Sequence, residues 1–330
     1  MKNEIDYITG FRGILVIAVV FHHYSTNYPI FFTKPNFFWD LTNGGIFAVA
    51  FFFILSGYFL ERGVNKFYVL GIKKWLIHKY LRLYPEFIVS ILMLFLVLQF
   101  YPLPERTGNS WIDLLKEVPM LPYLSFHMEE AHWYLASLLC SFGSFAFLAQ
   151  LRWHNKVATY WIALFLNIIS FVLKECCISI WGVSFFISFV NKFVNISIFT
   201  GMLSYLSSKQ IHFKILLFFY LTFLTVKLHI ILFPIVFILL WLCLNNQYDK
   251  YLNIIKKILG NKFIVYIGGL SYMWYVMHQN VGYIVMQNLE RYINYEMLPY
   301  ITVCVTFTFC IFLQKVADVI RKNIYKRIKF

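Results

Sequence analysis

Residues 10–25 read GFRGILVIAVVFHHYS, an apolar run that carries three groups able to handle charge or protons: Arg12, His22 and His23. A cationic side chain at the centre of a membrane span costs about 2.5–3.5 kcal/mol even on insertion scales, so its presence asks for a reason. On a helix that turns ~100° and rises ~1.5 Å per residue, Arg12 and His23 fall within ~20° of one face, ~16 Å apart along the axis. His22 sits ~80° round from that stripe. A functional reading needs a polar path through the membrane, with a fixed cation near its inner end and a proton acceptor near its outer end. An imidazole, titrating near neutral pH, is the natural general base. The bland alternative, in which Arg12 snorkels to headgroups and the histidines are interfacial, leaves the shared face unexplained.

Two other stretches bear chemistry. In YIGGLSYMWYVMHQ (266–279), Ser271 and His278 are seven residues apart, ~20° on a helix, so they share a face. In HMEEAH (127–132) the histidines stand at i and i+5, ~140° apart on a helix, which rejects the i,i+4 zinc pattern. Glu129 and Glu130 can accept hydrogen bonds, and Trp133 offers a stacking face. Ser56 lacks a visible base and reads as a small residue at a tight helix crossing. The six cysteines include no C-x-x-C and no zinc-type spacing, and no metal or bound cofactor is expected.

The elements that must position these groups are membrane helices. Of the 330 residues 60% are hydrophobic and 13% charged, against about 25% charged in an ordinary soluble domain. The charge deficit runs along the whole chain, so one polytopic domain is expected over 1–330. A formal charge of +14 is spread between apolar runs rather than gathered into a nucleic-acid patch. The first run, flanked by Lys2, Glu4 and Asp6, reads as a retained helix rather than a cleaved signal. Apolar runs of spanning length lie near 8–27, 44–61, 85–101, 132–150, 157–173, 183–207, 263–285 and 298–318, and 213–245, interrupted by Lys227 and His229 with Pro234 following, divides into two short spans with a tight outer turn. The fold class is therefore all-α integral membrane, with about ten transmembrane helices. With the N-terminus placed in the cytoplasm, 21 of the 29 Lys and Arg fall on inner connections and 7 on outer ones, Arg12 being the remaining one. This asymmetry predicts that both termini are cytoplasmic.

DYITGFRGILVIAVVFHH (6–23) resembles the opening of the acyltransferase-3 family, an Arg-Gly followed by an apolar run and a His eleven residues after the Arg. FFFILSGYFL (51–60), KYLRLYP (79–85), read as the family's basic turn into its third helix, and YIGGLSYMWYVMHQ resemble three further family blocks in the family's order, and HWYLASLL (132–139) is a looser match. The resemblance covers essentially the whole chain. It implies transfer of an acyl group, most often acetyl, from a cytoplasmic acyl-CoA to a hydroxyl of a glycan or other acceptor at the outer face. It implies His23 as the catalytic histidine, acting as base or as acyl carrier, and Arg12 as the group holding phosphate or the thioester oxygen. Arg82 and Lys79 would contact CoA, although the family commonly shows R-x-x-R where this chain has Lys79-Tyr80-Leu81-Arg82. Glu129, Glu130, Trp133 and His278 would meet the acceptor. The chain resembles the stand-alone type without an appended esterase-like domain. The expected function is O-acetylation, in the bacterial cytoplasmic (inner) membrane, of a surface polysaccharide or its lipid-linked precursor, with acetyl-CoA as donor. The rivals are a non-catalytic exporter or flippase using the same polar face, and an O-succinyltransferase.

Overall fold

The computed structural model describes residues 2–25, 45–103, 110–120, 128–151, 157–162, 164–165, 192–228, 232–244 and 249–327. Among these there is no strand, as expected where apolar segments must satisfy every backbone N–H and C=O internally. The helices are α1 (Lys2–Ser25), α2 (Gly45–Arg62), α3 (Val64–Phe100), α4 (Trp111–Glu117), a 3₁₀ turn (Glu130–His132), α5 (Trp133–Leu151), α6 (Lys192–Leu206), α7 (Ile211–Leu228), α8 (Leu232–Leu244), α9 (Asp249–Leu259), α10 (Lys262–Leu289) and α11 (Leu298–Arg327). Three are long and apolar enough to cross a membrane by themselves: Asp6–Ser25, Val64–Phe100 and Leu298–Arg327. The 213–245 run does divide in two, as α7 and α8. Most of the expected span at 157–173, the start of that at 183–207, and Cys176 and Cys177 lie outside the described residues.

One expectation is revised in detail. The basic block at 79–85 is not a turn but part of α3, whose only non-helical residue is Gly71 (φ 72°, ψ 163°). A positive φ suits glycine because it has no Cβ to clash, so the chain bends there rather than at the arginine. Pro85 lies within the same helix and removes one intrahelical N–H.

The residues form two compact units, Met1–Ala48 with Lys79–Ala136 and Ile255–Phe330, and Val49–His78 with Ser137–Ile254. In the second unit, Gly57 packs on the Ile198 carbonyl and Gly201 on the Ile54 carbonyl, so the backbones of α2 and α6 touch. Ser56 donates to the Phe52 carbonyl (2.9 Å), tying its hydroxyl to its own helix. This unit also holds a cleft of about 430 Å³ beside Glu61, Arg62, Tyr205 and Lys209, where the Tyr160 hydroxyl donates to Glu61 (3.0 Å).

In the first unit, α1 and α10 run parallel in close contact. The reason is a glycine seam. A Cβ at Gly13 would lie 2.7 Å from the Ile264 carbonyl oxygen, and one at Gly268 would collide with the Thr9 carbonyl. Without a hydrophobic driving force between lipid-immersed helices, such small residues set which faces meet. α11 lies antiparallel to α10: Trp274 Nε1–H donates to Thr306 (3.2 Å), and Cys310 approaches the Leu270 carbonyl (3.8 Å).

Candidate active site

The seam aligns α1 and α10 so that their polar residues pair at two levels. Near its start, Arg12 Nη2 donates to Ser271 Oγ (2.9 Å), leaving the rest of the guanidinium fork available among the described residues. Further along, the His23 and His278 rings meet edge to face with centroids 4.9 Å apart. Gly45 has His22 pressed against it, with no room for a Cβ. The two adjacent histidines therefore have different surroundings: His22 fills the space beside a glycine, and His23 faces another imidazole. Tyr24 locks the end of the seam. Its ring occupies the space a Cβ on Gly282 would need, and its hydroxyl donates to the His278 carbonyl (2.7 Å).

His278 is fully buried. Its Nδ1 lies 2.7 Å from the Tyr275 carbonyl, an acceptor only, so Nδ1 carries the proton and Nε2 keeps the lone pair.

A strap formed by residues 128–132 braces α10 around His278. Glu129 accepts the backbone N–H of Asn280 (3.0 Å), and His132 Nε2–H donates to the Val276 carbonyl (2.8 Å). In a regular α-helix those two backbone groups would pair with each other. Here each meets a strap side chain, one on either side of His278. Tyr275 donates to the Ala131 carbonyl (3.1 Å), Asn280 Nδ2 to the Met128 carbonyl (2.5 Å), and Gln279 to Glu130 (3.3 Å). Behind the strap, His132 Nδ1 is 2.5 Å from Glu117 Oε1, while Glu117 Oε2 accepts the Met128 N–H (2.9 Å). Both residues are at most 1% exposed. Glu117 ends α4, which starts with a reciprocal capping box between Ser110 and Asp113.

The expected acceptor residues are therefore not alike. Glu129 is buried and faces the α10 backbone, whereas Glu130 is exposed and Trp133 half-buried at the start of α5. His127 lies outside the described residues. Among the described residues, no group of three or more His, Cys, Asp or Glu could hold a metal.

A family model described as an acyltransferase domain, Acyl_transf_3, matches residues 5–314. The chain belongs to the acyltransferase-3 family. No curated protein and no solved structure matches it.

For an acyltransferase of this family the cationic groups matter next. Arg82 is exposed, Lys79 half-buried, and the two are one helical turn apart on α3. Arg82 lies within electrostatic reach of both Arg12 and Arg321. Arg321 pairs with Glu86 and, at 2.7 Å, with Asp318. Arg321 was hidden in the sequence as one of many basic residues near the C-terminus. Glu117 and His132 were equally unassigned, although buried acids are rare enough in so apolar a chain to have been a signal.

Arg12 gives a direct test of fork against charge. If two guanidinium N–H groups hold phosphate or an oxyanion while a third holds Ser271, Arg12→Lys keeps the charge and loses the fork. We expect that variant to lose most acyl transfer at unchanged membrane abundance. Near-normal transfer would mean that Arg12 only snorkels.

Proposed function

We propose that this acyltransferase moves an acetyl group from cytoplasmic acetyl-CoA to a hydroxyl of a bacterial surface polysaccharide or its lipid-linked precursor, in the cytoplasmic membrane. The supporting observation is the two-level pairing of α1 with α10. A guanidinium with spare donors lies at one level (Arg12 beside Ser271) and a pair of imidazoles at the other (His23 beside His278). Acyl transfer to a hydroxyl needs both: donors for the oxygen on which charge develops, and a base for the proton that leaves. Arg12, Arg82 and Lys79 attract the phosphates of CoA. His23 meets the reacting groups as base or brief acyl carrier, and Glu130 and Trp133 offer the acceptor a hydrogen-bond acceptor and an aromatic face.

The experiment is the mass of the surface glycan with and without the gene. A shift of one acetyl per repeat supports the proposal, a succinyl shift changes the group transferred, and no shift removes the glycan as acceptor. Thermal protection of the purified protein by acetyl-CoA separates an enzyme from an exporter, which has no use for CoA.

The reading also requires a donor on the inner side and an acceptor on the outer side. The charge asymmetry puts both termini and residues 62–84 in the cytoplasm and 101–131 outside. Single cysteines placed at Lys74 and at Ser110, both exposed, test this in a cysteine-free background. An impermeant thiol reagent added to intact cells is expected to label the Ser110 position alone; the reverse pattern would overturn the orientation.

A further inference from the structure

His278 is more than a wall of the site. Its ring is 0% exposed, Nδ1–H is committed to the Tyr275 carbonyl, and Nε2 has no hydrogen-bond partner among the described residues. A buried nitrogen lone pair left without a donor is costly, and proteins seldom leave one unless a ligand supplies the donor. Of the rings around it, His23 stands at 4.9 Å, nearer than Tyr275 at 5.6 Å and Tyr24 at 6.4 Å. The helix bearing His278 is held on both sides by the strap, through Glu129 to the Asn280 N–H and His132 to the Val276 carbonyl. The ring is thus oriented, fixed in one tautomer, kept from water and unpaired at the nitrogen that can take a proton.

We propose that His278 is a second catalytic histidine, whose Nε2 takes the proton of the acceptor hydroxyl and so leaves His23 to carry the acyl group. This rests on the acyltransferase reading above. In the first step a His23 ring nitrogen attacks the thioester carbon. The C–N bond forms, the C–S bond breaks, and the proton from the other His23 nitrogen passes to the departing thiolate, giving free CoA thiol. In the second step the acceptor oxygen attacks the acyl carbon. The C–O bond forms, the C–N bond to His23 breaks, and the hydroxyl proton goes to His278 Nε2. That proton then crosses to the freed His23, and both rings return to their starting state. No further reactant is needed.

His278→Asn isolates the proposed role. The asparagine amide can still donate to the Tyr275 carbonyl, as Nδ1–H does, but it places no base where Nε2 stood. With radiolabelled acetyl-CoA and purified glycan acceptor, we expect His278→Asn to release CoA and accumulate label on the protein. Transfer to the acceptor should fall by about 10²–10⁴-fold, the usual contribution of a positioned base. Adding His23→Ala should remove the protein-bound label. In His278→Ala, added imidazole should restore part of the transfer, which no misfolded protein would show. Transfer by His278→Asn within a few-fold of wild type would overturn the proposal. So would an inactive His278→Asn protein with no label, combined with no imidazole rescue of His278→Ala. Failure of the wild-type protein to consume acetyl-CoA would instead overturn the reading of acetyl-CoA as the donor, on which this proposal rests.

Discussion

Replacing His23 by alanine is expected to abolish detectable acylation, while His22→Ala retains most of it. The two residues are neighbours in sequence and differ only in where the helix points them. His23 shares a face with Arg12 and meets the His278 ring at 4.9 Å, whereas His22 rests on Gly45. A positioned base contributes about 10²–10⁴-fold, and a group that carries the acyl moiety covalently contributes more because no route bypasses it. Truncating His22 opens a void beside Gly45, a packing loss that the adjacent helices can absorb in part. The measurement is acceptor acylation in cells for both variants at matched membrane abundance. A functional His23→Ala protein, or a dead His22→Ala protein beside it, would show that the other ring does the chemistry.

Glu117→Leu is expected to destabilise the protein by about 3–5 kcal/mol, the usual cost of removing one partner from a buried charged pair. Glu117 has both carboxylate oxygens in use, one on His132 Nδ1 and the other on the Met128 N–H. Leucine leaves both donors in a site with almost no solvent access, and the strap loses its anchor. Phe87 lies 5.1 Å from the His132 ring, so an aromatic side chain can be accommodated there. The double variant Glu117→Leu/His132→Phe removes both polar partners and should recover part of the lost stability, since an apolar replacement of a whole buried pair is often neutral. It should not recover activity, because the Val276 carbonyl next to His278 still loses its donor. Thermal unfolding of the detergent-purified proteins, read alongside transfer, checks both statements. An unchanged melting temperature for Glu117→Leu would mean that the pair does not brace the fold.

How much of this was legible in the chain differs between the helices and their pairing. The apolar runs dictate helices, because a backbone surrounded by lipid can satisfy its polar groups only within the segment. The helical period alone places Arg12 and His23 on one face and His22 off it, and likewise puts Ser271 in register with His278. The same residue patterns carried the resemblance to the family whose model covers residues 5–314. What no pattern revealed is that the Arg12–His23 face meets the Ser271–His278 face, some 250 residues further on in the chain. Helices apolar all round have no amphipathic stripe to announce a buried side, so contact between small residues such as Gly13 and Gly268 chooses the partner, and that choice is made only in three dimensions.

HMEEAH shows the same division. Its spacing argued against a zinc pattern, and the family resemblance suggested carboxylates turned toward a sugar. Tertiary structure instead buries Glu129 against Asn280 and pairs His132 with Glu117, fifteen residues earlier. A buried carboxylate must take whatever donor lies within reach, and the packing of α4 and the strap against α10 determines which donor that is.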